Sequence, residues 1–422
     1  MSHATNEEAQ SASKPPTGEE AQPPAMAGTG GPEAEPGRRT FRDFFRGDLG
    51  FIPVLVTLVI IGIVFQVLTN GIFLQARNLS NLSIQIVTVG TIAIAAVFIL
   101  LLGEIDLSLA AVSQACGAIM AVLLIRQGWP AVVAIVVALL AGTIIGLING
   151  FFIAVLRIPS FIVTLAGSIA YSGLLLLVLQ PQTTLSIRDE GILNLTSTYY
   201  KDAIMGIGLP ALGVVLYAGA LFYNRARRQR AGLKISSNRQ IAIRIVVIAV
   251  IMLGIVLGFQ SYLGIPQSTT IWIVMVTLFW LILTQTAYGR HIYAVGGNAE
   301  ASRRAGINVV GLRISIFALA STLAAVAGVL QASRGNGAAS QINPTLLLNS
   351  IAAAVIGGVS LFGGRGSVWA VVLGAMIIGS LENGLDLLNQ GQEIKSIVEG
   401  SVLVLAVTVD AVIRRANAVQ GR

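Results

Sequence analysis

Apolar residues fall along this chain in blocks too long and too continuous for one face of a soluble helix. Twelve blocks stand out, at 51–69, 81–102, 107–125, 131–156, 161–179, 207–223, 245–263, 271–287, 312–332, 346–362, 368–388 and 394–413. Each has the length that the hydrocarbon core of a bilayer demands of a helix, about 20 residues. Polar connectors separate them. The pattern predicts an all-α polytopic membrane protein with about twelve spans. Losing two of the shortest together (207–223, 271–287, 346–362) would leave ten and keep both ends on one side.

Composition agrees: 55% of residues are hydrophobic and 11% charged, against about 25% charged in soluble domains. The basic residues set the orientation. With the N-terminus in the cytoplasm, 21 of the 27 Lys and Arg fall inside, so both termini are expected there. Residues 1–46 read as an acidic, Pro- and Gly-rich disordered tail followed by a basic juxtamembrane segment, in which Phe41, Phe44 and Phe45 interleave with arginines. Residues 47–415 form the transmembrane domain, and 416–422 a short C-terminal tail. The segment from 180 to 206 makes a long outside loop, either a connector or a surface for an external partner.

Candidate chemistry is sparse. No phosphate-binding G-x-x-x-x-G-K-[ST] loop occurs, and neither does G-x-S-x-G. The only histidines are His3 and His291, and Cys116 is the lone cysteine. A catalytic centre, a metal site and a cofactor are therefore not expected. Transport is the default for such a bundle.

Each half carries a break in its apolar pattern. In the first, Gly103, Glu104, Asp106 and Ser108 sit between two spans. Either Asp106 or Ser108 can cap the following helix, or the two acids lie on the transport pathway. In the second, Gly357, Gly358, Gly363, Gly364 and Gly366 fall within eleven residues, which cannot remain a regular helix, and Ser367 is placed to cap the next one. Broken helices in both halves point to a transporter. Asn149 and Asn383, each followed by glycine near a span end, are candidates for contact with a polar cargo. Glu382 and Asp386 share a helix face and are either interfacial acids or groups at the pore mouth.

The segment 289–313, GRHIYAVGGNAEASRRAGINVVGLR, carries the strongest local signal. Asn298 is a good N-cap, Glu300 lies in the first turn, Arg303 and Arg304 fill the last turn, and Gly306 stands where a left-handed residue closes a helix. So short a helix needs support from elsewhere. It is either a site where a soluble partner docks, with Arg290 nearby, or an interfacial connector.

These segments together resemble the membrane permease subunits of sugar-importing ATP-binding-cassette transporters, over about residues 75–415. The resemblance rests on RNLSNL at 77–82, EIDLS at 104–108, IPSFIVTLAG at 158–167, GRHIYAVGGNAEASRRAGIN at 289–308, AVIGGVSLFGGRGSV at 354–368 and ENG at 382–384. RARRQRAGLK at 225–234 and GIPQSTT at 264–270 are more similar to the xylose branch than to the ribose branch. The general importer coupling pattern is met in part. Gly306 follows Glu300 by six residues, but Ala318 and Leu319 stand where its Leu and Pro would fall.

The resemblance implies a multi-pass plasma-membrane (bacterial inner-membrane) subunit that imports a monosaccharide, D-xylose first. It implies a separate ATPase docking on the 289–311 loop, an extracytoplasmic sugar-binding protein, and a second permease copy. Membrane lipid is the remaining partner, and nothing points to nucleic acid. The rival is a proton-coupled secondary sugar carrier working through Glu104 or Asp106.

Overall fold

The computed structural model describes residues 52–232, 237–341 and 343–420. The acidic tail and basic segment expected over 1–46 lie outside these residues, as do 421–422. Fifteen α-helices make up nearly all of the described chain. The first five, α1 (Ile52–Leu68), α2 (Ala76–Leu101), α3 (Leu109–Ile125), α4 (Ala131–Ala154) and α5 (Ser160–Leu179), follow one another through short turns. Then come β1 (Thr184–Ser186), α6 (Glu190–Ser197), β2 (Tyr199–Tyr200), a π-helical turn (Ala203–Gly208), α7 (Leu209–Arg230) and α8 (Asn238–Gln260). The remainder is β3 (Ile265–Pro266), α9 (Gln267–Gln285), α10 (Ala287–Gly297), α11 (Ala299–Arg304), α12 (Val309–Arg334), β4 (Gly337–Ala339), α13 (Pro344–Ile356), α14 (Ala370–Leu387) and α15 (Gln392–Gln420).

Eight of the described helical stretches are long and apolar enough to cross a membrane. Three shorter apolar helices correspond to α1, α3 and α13. The protein is thus a polytopic membrane protein. Its exposed surface is rich in Val, Ile, Leu and Phe, which suits a bundle whose solvent is lipid.

The helix α2 is the axis of the bundle. Its most apolar stretch is 94% buried, against 6% for the stretch that includes α7. α12, α13, α14 and α9 all pack on it. Small residues permit this: Gly90 lies directly under the indole of fully buried Trp272 on α9, where a Cβ would come within 2.3 Å. α4 and α12 approach as closely. Gly142, Gly146 and Gly150, four apart on α4, face Ser321, Phe317 and Ile314 of α12 at distances that admit no side chain. This is the small-residue packing that brings helices together where lipid removes the hydrophobic drive between them.

The structure shifts several expected boundaries. The block 346–362 is helical only to Ile356, because Gly357 and Gly358 end it and Gly358 has φ +102°. α7 runs on to Arg230, beyond the apolar block, since its last turn is charged rather than broken. α8 begins at Asn238, seven residues early, where Ser237 and Gln240 cap it reciprocally. The loop 180–206 is folded. β1 pairs antiparallel with β4 through Leu185 and Ala338, and β2 pairs with β3 through Tyr199 and Pro266.

Candidate functional site

The segment 286–313 folds as two short helices and a turn. Thr286 Oγ1 accepts the Gly289 N–H at the start of α10. The Asn298 side-chain oxygen accepts the Ala301 N–H at 2.9 Å and opens α11. Glu300 pairs with Arg303, and with Arg304 at 3.3 Å, along the exposed side. Gly306 takes φ +87°, its N–H reaches Arg303 O at 3.0 Å, and Ile307 N–H reaches Ser302 O at 3.1 Å. That pair of bonds is the left-handed helix closure that glycine makes without a Cβ penalty. Six residues cannot hold a helix alone. Ser302 is the buried residue of α11, and just beyond its end the Asn308 side chain caps α12 through the Gly311 N–H at 2.9 Å. Arg290 lies exposed on α10.

Beneath this element the two breaks meet. α2 ends at Leu101, and Gly103 turns the chain with φ +75°. The second break crosses it: Gly364 N–H donates to Leu101 O at 2.9 Å. Gly296 on α10 lies against both. A Cβ there would stand 1.7 Å from Leu101 O and 2.7 Å from Gly364 N. A Cβ on Gly363 would stand 2.7 Å from Gly296 O and 2.9 Å from Gly103 N. Tyr293, one turn earlier on α10, donates its hydroxyl to Gly366 O at 2.8 Å. Glu104 pairs with Arg313 at the foot of α12 at 3.1 Å, both largely shielded. Three segments nearly 70 and 200 residues apart therefore touch backbone to backbone at one glycine joint.

Neither Asp106 nor Ser108 caps α3 as expected. The Asp106 Oδ1 accepts the Ser108 N–H at 2.7 Å and its hydroxyl at 2.6 Å, so both polar groups turn back on the break itself. Oδ2 is buried without a partner. Asn149 donates to Ser108 Oγ at 3.2 Å and accepts from Tyr171 OH at 2.7 Å. Ser160 and Thr164 on α5 accept the Ile105 and Leu107 N–H groups. The break thus has its backbone satisfied by side chains of α5, as irregular backbone inside a membrane protein requires.

Asn383 sits far from Asn149. It accepts from Asn78 at 2.8 Å and donates to Gln85 at 3.1 Å, tying α14 to α2. Both asparagines are 2% exposed and spend their amide groups on these ties. In the second break, the Ser367 hydroxyl accepts the Trp369 N–H, and α14 starts at Ala370 without a side-chain cap.

Gly296, Tyr293, Arg313 and Tyr171 were not singled out from the sequence. Gly296–Gly297, immediately before the capping Asn298, was the visible sign of the first. The others depend on contacts between distant segments.

A family model described as "Branched-chain amino acid transport system / permease component" matches residues 78–407. The xylose transport system permease protein XylH of Escherichia coli (strain K12) is 35% identical over 86% of this chain and 92% of its own length. XylH of Haemophilus influenzae is 36% identical over 85% of this chain and 95% of its own. The ribose import permease protein RbsC of Bacillus subtilis is 30% identical over 85% and 91%. No solved structure matches. The matched region holds both breaks, the glycine joint and α11, and the chain belongs to the permease components of ATP-binding-cassette sugar importers, multi-pass, non-catalytic subunits of the bacterial inner membrane.

Proposed function

We propose that the chain is the translocation subunit for a pentose, D-xylose first, working as one of two permease copies. Its higher identity to the two xylose permeases than to the ribose permease supports that sugar. In this reading twelve helices span the bilayer, namely α1–α5, α7–α9 and α12–α15, and both termini and α11 face the cytoplasm. The distribution of Lys and Arg supports the orientation. A sugar-binding protein delivers the cargo at the opposite face, and an ATPase docks on α11.

The observation that carries the mechanism is the glycine joint. Glu300, Arg303 and Arg304 present an exposed charged face to a partner, while Asn298 and Gly306 keep α11 rigid. Force on α11 passes along α10 to Gly296, which abuts the first break at Leu101 and the second at Gly363–Gly364. The Glu104–Arg313 pair adds a second tie between the first break and α12. With no side chains between the segments, there is little to compress. Closure of the ATPase then shifts both breaks together and switches the bundle between its two openings, a rigid-body change of the kind packed helices support. Glu104 and Asp106 hold the break in place through Arg313 and Ser108, and the energy comes from ATP. The proton-coupled carrier is set aside.

Uptake tests the assignment. Cells or vesicles holding the chain, its ATPase and its binding protein should take up labelled D-xylose, and unlabelled D-xylose should compete better than D-ribose. Equal competition by ribose, or no pentose uptake, would contradict the substrate.

A further inference from the structure

The end of the bundle opposite α11 holds a group of charged and polar side chains that the coupling mechanism does not use. Arg334 closes α12, Asn349 lies on α13, Glu382 and Asp386 face one way on α14, and Lys395 and Glu399 lie on α15. Four helices thus converge on one spot. Lys395 is paired with Asp386. Arg334 interacts electrostatically with Glu382 and Asp386 without closing to an ion pair with either.

Glu399 points to a ligand. It is 6% exposed, its carboxylate accepts a hydrogen bond from Asn349, and it feels Glu382, Lys395 and Asp386. Its Oε2 is buried with no hydrogen-bond partner. A buried acceptor left unmatched costs about 1–3 kcal/mol, more when charged. Such atoms are rare unless something else completes them.

The balance of charge identifies the class of molecule. Three carboxylates against an arginine and a lysine leave one net negative charge, too little surplus for a strong cation site and of the wrong sign for an anion. A neutral polyol fits better, since its hydroxyls donate to carboxylates and accept from a guanidinium or ammonium. We propose that Arg334, Asn349, Glu382 and Glu399 form a transit site for the monosaccharide at the face where the binding protein delivers it, with the Asp386–Lys395 pair at its rim. The proposal rests on the importer reading and adds to it the first place on the chain that the sugar touches.

Cysteine protection tests the site in the assembled complex in vesicles. Cys116 is fully buried and can remain. Gly335→Cys, exposed beside Arg334 and outside the four site residues, is treated with a small membrane-impermeant methanethiosulfonate from the face opposite α11, with and without millimolar D-xylose. The sugar should slow modification at least fivefold. Ile397→Cys on the exposed side of α15, 68% exposed, should react equally fast with and without sugar. Adding Glu399→Gln to the Gly335→Cys variant should abolish the protection while the ATPase still co-purifies. If Gly335→Cys does not assemble, Asp386→Cys replaces it, with at least twofold protection expected at the rim. D-xylose uptake by the parent complex is measured in the same vesicles. Uptake without protection at 335 or 386 overturns the site alone, and absence of pentose uptake overturns the reading on which it rests.

Discussion

Gly296→Ala probes the joint with a single methyl group. Its Cβ would lie 1.7 Å from Leu101 O and 2.7 Å from Gly364 N. A relaxed carbon–oxygen contact is about 3.3 Å, so α10 and the end of α2 must part by about 1.6 Å. That displacement stretches the 2.9 Å bond from Gly364 N–H to Leu101 O, and losing a shielded bond of this kind costs about 1–3 kcal/mol. Overpacking itself costs about 1–3 kcal/mol. Even about 2 kcal/mol placed on one of two conformations shifts their ratio by about thirtyfold. Gly297→Ala is the matched control, because a Cβ there meets nothing within 4 Å. The expected outcome is normal insertion and ATPase binding for both variants, uptake reduced at least tenfold for Gly296→Ala, and uptake within twofold of the parent for Gly297→Ala. Uptake is measured in vesicles with saturating binding protein and ATP. If Gly296→Ala transports as well as Gly297→Ala, the joint is not the route by which force reaches the breaks.

Other predictions address the remaining parts of the account. Glu104→Gln and Arg313→Gln should each lower uptake several-fold, and the double variant should be no worse than the worse single one, because each change removes the same largely shielded pair; additive losses would show two separate roles. Gly306→Val places a β-branched side chain at φ +87°, which costs about 1–2 kcal/mol, so the ATPase should co-purify less well and uptake should fall while abundance in the membrane holds. A reporter active only outside the cell should be silent when fused after Arg422 and active when inserted after Ser197; the reverse would overturn the twelve-span orientation.

The long apolar helices and the short helix α11 were legible because they follow from local chemistry. A run of about 20 apolar residues has few structural options in any context, and Asn298, Glu300 and Gly306 each act on the turn to which they belong. The breaks were legible too, since clustered glycines end helices wherever they occur. Their partners were not. Gly363 meets Gly103 across some 260 residues, and no local pattern encodes that pairing. Asp106 and Ser108 had the right residue types to cap α3, but the serine hydroxyl instead donates to Asp106 and accepts from Asn149, which Tyr171 holds in turn. The loop 180–206 lacked an apolar period, so its short strands were invisible until β3 and β4 supplied partners.

Distances across the joint measure the central claim most directly. Spin labels on Gly297→Cys and Phe362→Cys bracket it, and Phe362 is 60% exposed. A third position, Val250→Cys on α8, is 62% exposed and serves as reference. The assembled complex is measured with ADP and then trapped with ATP. The account predicts that the 297–362 distance stays constant while both positions move relative to 250, because α11, α10 and the two breaks shift as one unit. A 297–362 distance that changes with nucleotide while the distances to 250 do not would contradict it.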